Sequence, residues 1–221
     1  DEIILGQTKI SADAPNIGRN AALLAEIPLE VPAYTVSRQC GSGLQAVNNG
    51  AQMIKCGLAD AVIAGGTESM SNAVFYIRGA RYGFRLGDGV LLDSNTESQY
   101  RSQPQEIYGA FNMGLTAENI AEKYKISREE QDEFALNSQL KAHSAIAEGR
   151  FKDEIIPFPI KNRKGEISYF DTDEHPRDTS LDKLAKLRPV FKENGTVTAG
   201  NSSGRNDGAS VLLLMSAKRA Q

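Results

Sequence analysis

The stretch between residues 34 and 66 restricts the fold more than any other part of the chain. Tyr34-Thr35-Val36 is dense in aromatic and β-branched residues and reads as a strand. It runs into Gln39-Cys40-Gly41-Ser42-Gly43, and then Leu44, Val47, Ala51 and Ile54 recur at helical spacing with Gly57 as the stop. Ala61-Val62-Ile63-Ala64 is a second apolar run, ended by Gly65-Gly66. Strand, turn, helix and strand in so short a compass make a βαβ unit, and two strands joined that way must lie parallel. Ile3-Ile4-Leu5, closed by Gly6, adds another buried strand, and Asn16 to Ala25 reads as a helix. The apolar run Ser210 to Met215 is expected to return to the same sheet, with the Leu44 to Cys56 helix buried against it.

From Ser71 to about Asn194 polar residues and helices replace this strand alternation, which reads as an insertion. Thr116 to Tyr124 predicts one helix, and Ser127-Arg-Glu-Glu130 has capping-box spacing for a longer one reaching about Ala147, with Gly149 at its end. Both read as polar, amphipathic surface helices. Lys161 to Gly165 is a basic turn between extended segments, a solvated hairpin tip. Thr196-Val197-Thr198 leads into the small-residue loop Ala199 to Gly204. The expected class is therefore α/β: a mixed, mainly parallel sheet covered by helices in residues 1–70 and 205–221, with a large α+β insertion over 71–204.

Twenty-five Lys+Arg against 28 Asp+Glu in 221 residues leave a formal charge of −3, so no net positive field collects nucleic acid or an anionic membrane. No apolar run approaches the ~20 residues of a spanning helix and no signal peptide is evident, so the expected location is cytoplasmic. Two cysteines, Cys40 and Cys56, are too few for a disulfide framework. Two histidines, His143 and His175, with no CxxC or HExxH spacing, argue against a metal.

Cys40 is the candidate nucleophile. A cysteine at a strand-to-helix turn stands at the positive end of a helix, where unpaired N–H groups and the macrodipole favour the thiolate. Gly41 and Gly43 clear space for a substrate, and Gly41 frees the backbone for a sharp turn. The N–H of Cys40 can bind a carbonyl oxygen as charge develops on it. The competing reading is that Cys40 is one more small buried residue, with Cys56, beside Gly57 at a helix end, as the comparison. Neither histidine sits in a motif suited to a general base, and Ala199 to Gly204 lacks the Lys of a phosphate-cradling loop.

Six stretches in order carry a resemblance. Gln39-Cys-Gly-Ser-Gly-Leu44, Ala64-Gly-Gly-Thr-Glu-Ser-Met-Ser71, Asn112-Met-Gly-Leu-Thr-Ala-Glu-Asn119, Ser127-Arg-Glu-Glu-Gln-Asp132, Ala185-Lys-Leu-Arg-Pro189 and Thr196-Val-Thr-Ala-Gly-Asn-Ser-Ser-Gly204 resemble the thiolase family. The likeness runs over essentially the whole chain, nearest the short-chain acetyl-CoA acetyltransferases, and corresponds to the family's N-terminal half without its opening strand and helix. The C-terminal half, with a Gly-His-Pro histidine and a cysteine in Cys-x-Gly-Gly-Gly, has no counterpart in these residues.

What the resemblance implies is two-step Claisen chemistry on coenzyme A thioesters, without a separate cofactor. Cys40 would take an acyl group from one acyl-CoA, and a second acetyl-CoA would be deprotonated and acylated. By motif, Ser203 would bond the pantetheine amide, Ala199 would contact the pantetheine, and Met113 would line the acyl pocket. Arg177 and Lys183 would lie near the nucleotide; Asn112 stands where family members often carry His, and Lys183 where they often carry Ser. Family members imply a homodimer or homotetramer at full length, and the 221 residues alone are expected to lack turnover. Two alternatives stay open: a ketoacyl-synthase-like condensing enzyme, and a non-catalytic CoA- or lipid-binding scaffold.

Overall fold

The computed structural model describes residues 1–221, which divide into two compact units: 1–102 with 205–221, and 103–204. The first unit holds β1 (Glu2–Gly6), α1 (Ile17–Leu24), β2 (Ala33–Val36), α2 (Ser42–Lys55), β3 (Ala61–Glu68), β4 (Phe75–Ile77), β5 (Leu91–Asp93) and α3 (Ser94–Tyr100). The second holds α4 (Gln105–Tyr108), α5 (Met113–Tyr124), α6 (Arg128–Ala147), β6 (Phe158–Lys161), β7 (Ile167–Phe170) and α7 (Leu181–Ala185). The chain then returns to the first unit as β8 (Gly208–Met215) and α8 (Ala217–Ala220). The change of composition at Ser71 and the start of the second unit do not coincide, because 71–102 fold back on the sheet side as the β4–β5 hairpin and α3.

The four predicted strands form one sheet in the order β2-β1-β3-β8, with β1 parallel to both β2 and β3, and β8 antiparallel to β3. Apolar side chains alternate to the two faces, as pleating requires. Ile4, Val62 and Ala64 are buried on the α2 side with Ala46, while Ile3 and Leu5 are buried on the α1 side with Ala22. Two details depart from the expected pattern. β3 does not stop at Gly65-Gly66 but continues through both to Glu68, paired along its length with β8. And α2 meets the sheet through Ala46 and Gly50, so that Leu44, about 200° round the helix from Ala46, is 68% exposed; Val47 and Ile54 do reach the core.

In the second unit the capping box at Ser127 and Glu130 is present in full. The β6–β7 hairpin turns through the basic tip as expected. The helix it caps, α6, buries only Asp132 and leaves Phe134 and Leu140 exposed, so it is not the amphipathic helix that its sequence suggests. No helix is long and apolar enough to cross a membrane.

Candidate active site

Cys40 lies one residue before Gly41, the N-cap of α2, and its side chain is exposed. It borders a cleft of about 330 Å3 that is lined by Gly6, Gln7, Thr8, Gln39, Ser42, Gly43, Gly66, Thr67, Glu68 and residues 208–210. Every lining residue belongs to the first unit. The positive end of a 14-residue helix therefore faces the mouth of a cleft that a cysteine shares.

The floor of that cleft is backbone against backbone. A Cβ added at Gly6 would stand 2.3 Å from the carbonyl carbon of Ser42, and one at Gly65 would stand 2.1 Å from the carbonyl oxygen of Ser210. One at Gly66 would stand 3.2 Å from the Gly6 carbonyl oxygen and 3.3 Å from Gly43 Cα. The end of β1 thus comes under the first turn of α2, and β3 lies against β8, only because Gly6 and Gly65 carry no side chain. The sharp turn ahead of Cys40 is made differently from the sequence expectation. Gly41 has φ −89°, open to any residue, whereas Gln39 is the left-handed residue at φ +50°.

Ser42, buried, closes this turn. Its hydroxyl donates to the Gln39 carbonyl at 2.6 Å and accepts from the Arg38 N–H at 2.8 Å, and its own N–H donates to the same Gln39 carbonyl at 3.0 Å. Beside the cleft the Glu68 carboxylate accepts the N–H of Thr8 at 2.7 Å and that of Lys9 at 3.2 and 3.3 Å. The Lys9 ammonium donates to the Ser94 carbonyl and to the Ser98 hydroxyl. Burial pushes the Lys9 amine below the usual lysine range and Arg205 pushes the same way, against the pull of Glu68, Asp93 and Cys40. Asp207, just ahead of β8, accepts the Ser71 N–H and the Ser69 hydroxyl, which ties the exit of β3 to the entry of β8.

The remaining predicted site residues all lie in the second unit. Ala199 and Ser203 are exposed in the 196–204 loop, Met113 is 68% exposed at the start of α5, and Arg177 and Lys183 are exposed before and in α7. The loop rests on α7: a Cβ at Gly200 would meet Leu184 and Leu187, each at 2.5 Å. Arg177 is held through its N–H, which donates to Gln139 of α6 at 2.9 Å. Both histidines belong to this unit; His143, half-buried in α6, has its Nε2 3.6 Å from an Asp178 oxygen, and His175 is in a loop. No three His, Cys, Asp or Glu side chains gather at metal-binding spacing.

What holds the 196–204 loop was not foreseen as part of the site. Glu118, buried in α5, accepts the N–H groups of Thr196 and Val197 at 2.8 to 3.0 Å and the Thr196 hydroxyl at 3.1 Å. Burial raises its carboxyl, but those donors and the Lys192 charge together hold it below the usual glutamate range. Asp132, buried in α6, accepts from Arg128 at 2.8 Å and from Asn201 at 2.9 Å, while Asn201 also accepts the Thr198 N–H at 2.7 Å. Arg128 reaches on to the Leu184 and Leu187 carbonyls. Four of the six motifs meet here, and the sequence signal was the polar Glu118 three residues from the apolar Ala121, one helical face carrying both.

The profile described as "Thiolase, N-terminal domain" matches residues 1–218. The acetyl-CoA acetyltransferase of Pseudomonas aeruginosa is 50% identical over 222 aligned residues, covering 100% of this chain and 56% of that protein. That of Syntrophomonas wolfei is 46% identical over 100% of this chain and 55% of its own length. Among solved structures, the acetyl-CoA acetyltransferase of Bacillus anthracis superposes with a TM-score of 0.94 at 45% identity, over 100% of this chain and 55% of that one. Human mitochondrial 3-ketoacyl-CoA thiolase superposes at 0.91 with 44% identity over the same shares. The chain thus spans about half the length of the curated relatives it matches. With its N-terminal-domain profile matched nearly end to end and its fold shared at that identity, the chain belongs to the thiolase family.

Proposed function

We propose that this chain supplies the acyl-accepting half of an acetyl-CoA acetyltransferase, which condenses two acetyl-CoA to acetoacetyl-CoA and runs the reverse thiolysis. The observation that carries the reading is the exposed Cys40 at the amino end of α2, over a cleft floored by glycine backbone. In the first step the Cys40 sulfur attacks the thioester carbonyl of acetyl-CoA, the carbon–sulfur bond to coenzyme A breaks, and the acetyl group rests on Cys40. In the second step the enolate of another acetyl-CoA attacks that acetyl carbon and the Cys40 sulfur leaves. The Cys40 N–H and the α2 terminus supply positive potential where the carbonyl oxygen becomes anionic. The proton-abstracting groups that the family resemblance implies lie outside these residues.

In the same reading Ser203 and Ala199 contact the pantetheine, Met113 the acyl end, and Arg177 and Lys183 the nucleotide end. Their exposure on one unit, around a loop fixed by buried carboxylates, supports that assignment. Acyl-CoA esters are then the substrates, with no further cofactor, in a cytoplasmic homo-oligomer that binds neither nucleic acid nor membrane. In the full-length protein Cys40→Ala should reduce condensation and thiolysis to the background rate while leaving the melting temperature within about 2 °C, since an exposed side chain buries little area. Wild-type turnover in that variant would refute the assignment; folded protein that binds acetyl-CoA but turns over neither with nor without Cys40 would indicate a scaffold.

A further inference from the structure

The peptide between Gln39 and Cys40 is held more firmly than the turn itself requires. Its carbonyl accepts three donors: the Ser42 N–H at 3.0 Å, the Ser42 hydroxyl at 2.6 Å, and the Thr8 hydroxyl at 3.1 Å. The first two are made within the turn. The third reaches in from the loop after β1, 31 residues away in sequence. Thr8 is itself fixed by its N–H, which donates to Glu68 at 2.7 Å, and Glu68 is the last residue of β3. The peptide is trans, so its carbonyl and the Cys40 N–H point in opposite directions from one plane. Anchoring the carbonyl therefore aims the N–H, and each bond accepted by the carbonyl also polarises that N–H as a donor. Gln39 needs such anchoring, because a non-glycine residue at φ +50° persists only where its surroundings hold it.

We infer that Thr8, braced by Glu68, is a positioning residue that aims the Cys40 N–H at the acyl oxygen during transfer. The inference rests on Cys40 being the acyl acceptor and deepens that reading by adding a residue that acts through the Gln39–Cys40 peptide rather than on the reacting atoms. Thr8→Val removes the hydroxyl at nearly constant volume and leaves the backbone bond to Glu68 in place. Thr8→Ser keeps the hydroxyl, and Thr8→Ala is a second hydroxyl-free variant should the valine not fold.

Two reactions of Cys40 in the full-length protein separate the aim of the N–H from the general shape of the turn. Acetylation by acetyl-CoA develops negative charge on a carbonyl oxygen, whereas alkylation by iodoacetamide displaces iodide and develops none near that N–H. Thr8→Val, or Thr8→Ala in its place, should slow acetylation about tenfold, through kcat with KM for acetyl-CoA unchanged, while alkylation stays within about twofold of wild type. Thr8→Ser should restore acetylation. Equal loss in both reactions would reduce Thr8 to a merely structural contact and overturn the inference, as would unchanged acetylation or a serine variant no better than valine. Failure of the underlying reading looks different: Cys40→Ala would then keep its turnover whatever residue stands at position 8.

Discussion

The turn at Cys40 and the loop at 196–204 are both irregular backbone that must hold one shape, and they are held by opposite means. Beneath Cys40 the support is the absence of side chains: Gly6 lets β1 meet the start of α2, and Gly65 lets β3 meet β8, main chain against main chain. Under the 196–204 loop the support is charge: Glu118 and Asp132, both buried, accept N–H groups that the loop cannot satisfy within itself. The difference teaches where each region should fail. Steric support is indifferent to protons and intolerant of a single methyl group, while carboxylate support depends on ionisation.

The largest effect expected from this contrast is at Gly65. Gly65→Ala places a carbon 2.1 Å from the Ser210 carbonyl oxygen, where neither strand can withdraw without breaking the β3–β8 ladder. It should cost roughly 3 kcal/mol or more in urea unfolding. A loss below about 1 kcal/mol would show that the floor yields. Glu118→Gln comes next, at about 2 kcal/mol, because it swaps a charged acceptor of two backbone N–H groups for a neutral amide.

Acid should separate the two regions without a mutation. Glu118 has its carboxyl lowered in the folded state, so its contribution is complete above the ordinary glutamate value of 4.5 and is lost as pH falls through the lower folded value. Amide exchange at Thr196 and Val197, corrected for intrinsic rates, should therefore accelerate as pH drops below that range. The Ala64 to Gly66 amides, whose ladder bonds carry no titrating partner, should not follow them. Parallel acceleration in both would dissolve the contrast. The smallest effect is Gly43→Ala, where a Cβ would find nothing closer than 3.9 Å. Stability should change by less than about 1 kcal/mol, although Gly43 stands in the motif beside Cys40 and Gly65 does not.

The same contrast explains what could be read from the residues. The four strands, the capping box at Ser127 and the hairpin at 162–166 are local patterns, carried by neighbours along the chain, and they stand as expected. The placement of Cys40 ahead of a helix is also local. The glycine floor is not, since the neighbours that forbid a side chain at Gly6 and Gly65 are Ser42 and Ser210. For that reason Gly65-Gly66 reads as a strand end although the strand continues through it. The left-handed residue of the turn falls at Gln39, where no composition rule would put it, because Ser42 within the turn and Thr8 from outside it hold its carbonyl. Glu118 and Asp132 pass as surface charges until the loop that covers them is in place.

The most direct measurement of the central claim is the mass of the Cys40 peptide. Full-length protein mixed briefly with acetyl-CoA, quenched in acid and digested, should carry one acetyl group on the peptide containing Cys40 and none on the peptide containing Cys56, with the label lost in Cys40→Ala. Acetylation confined to another residue, or none on Cys40 while the protein is turning over, would contradict the account.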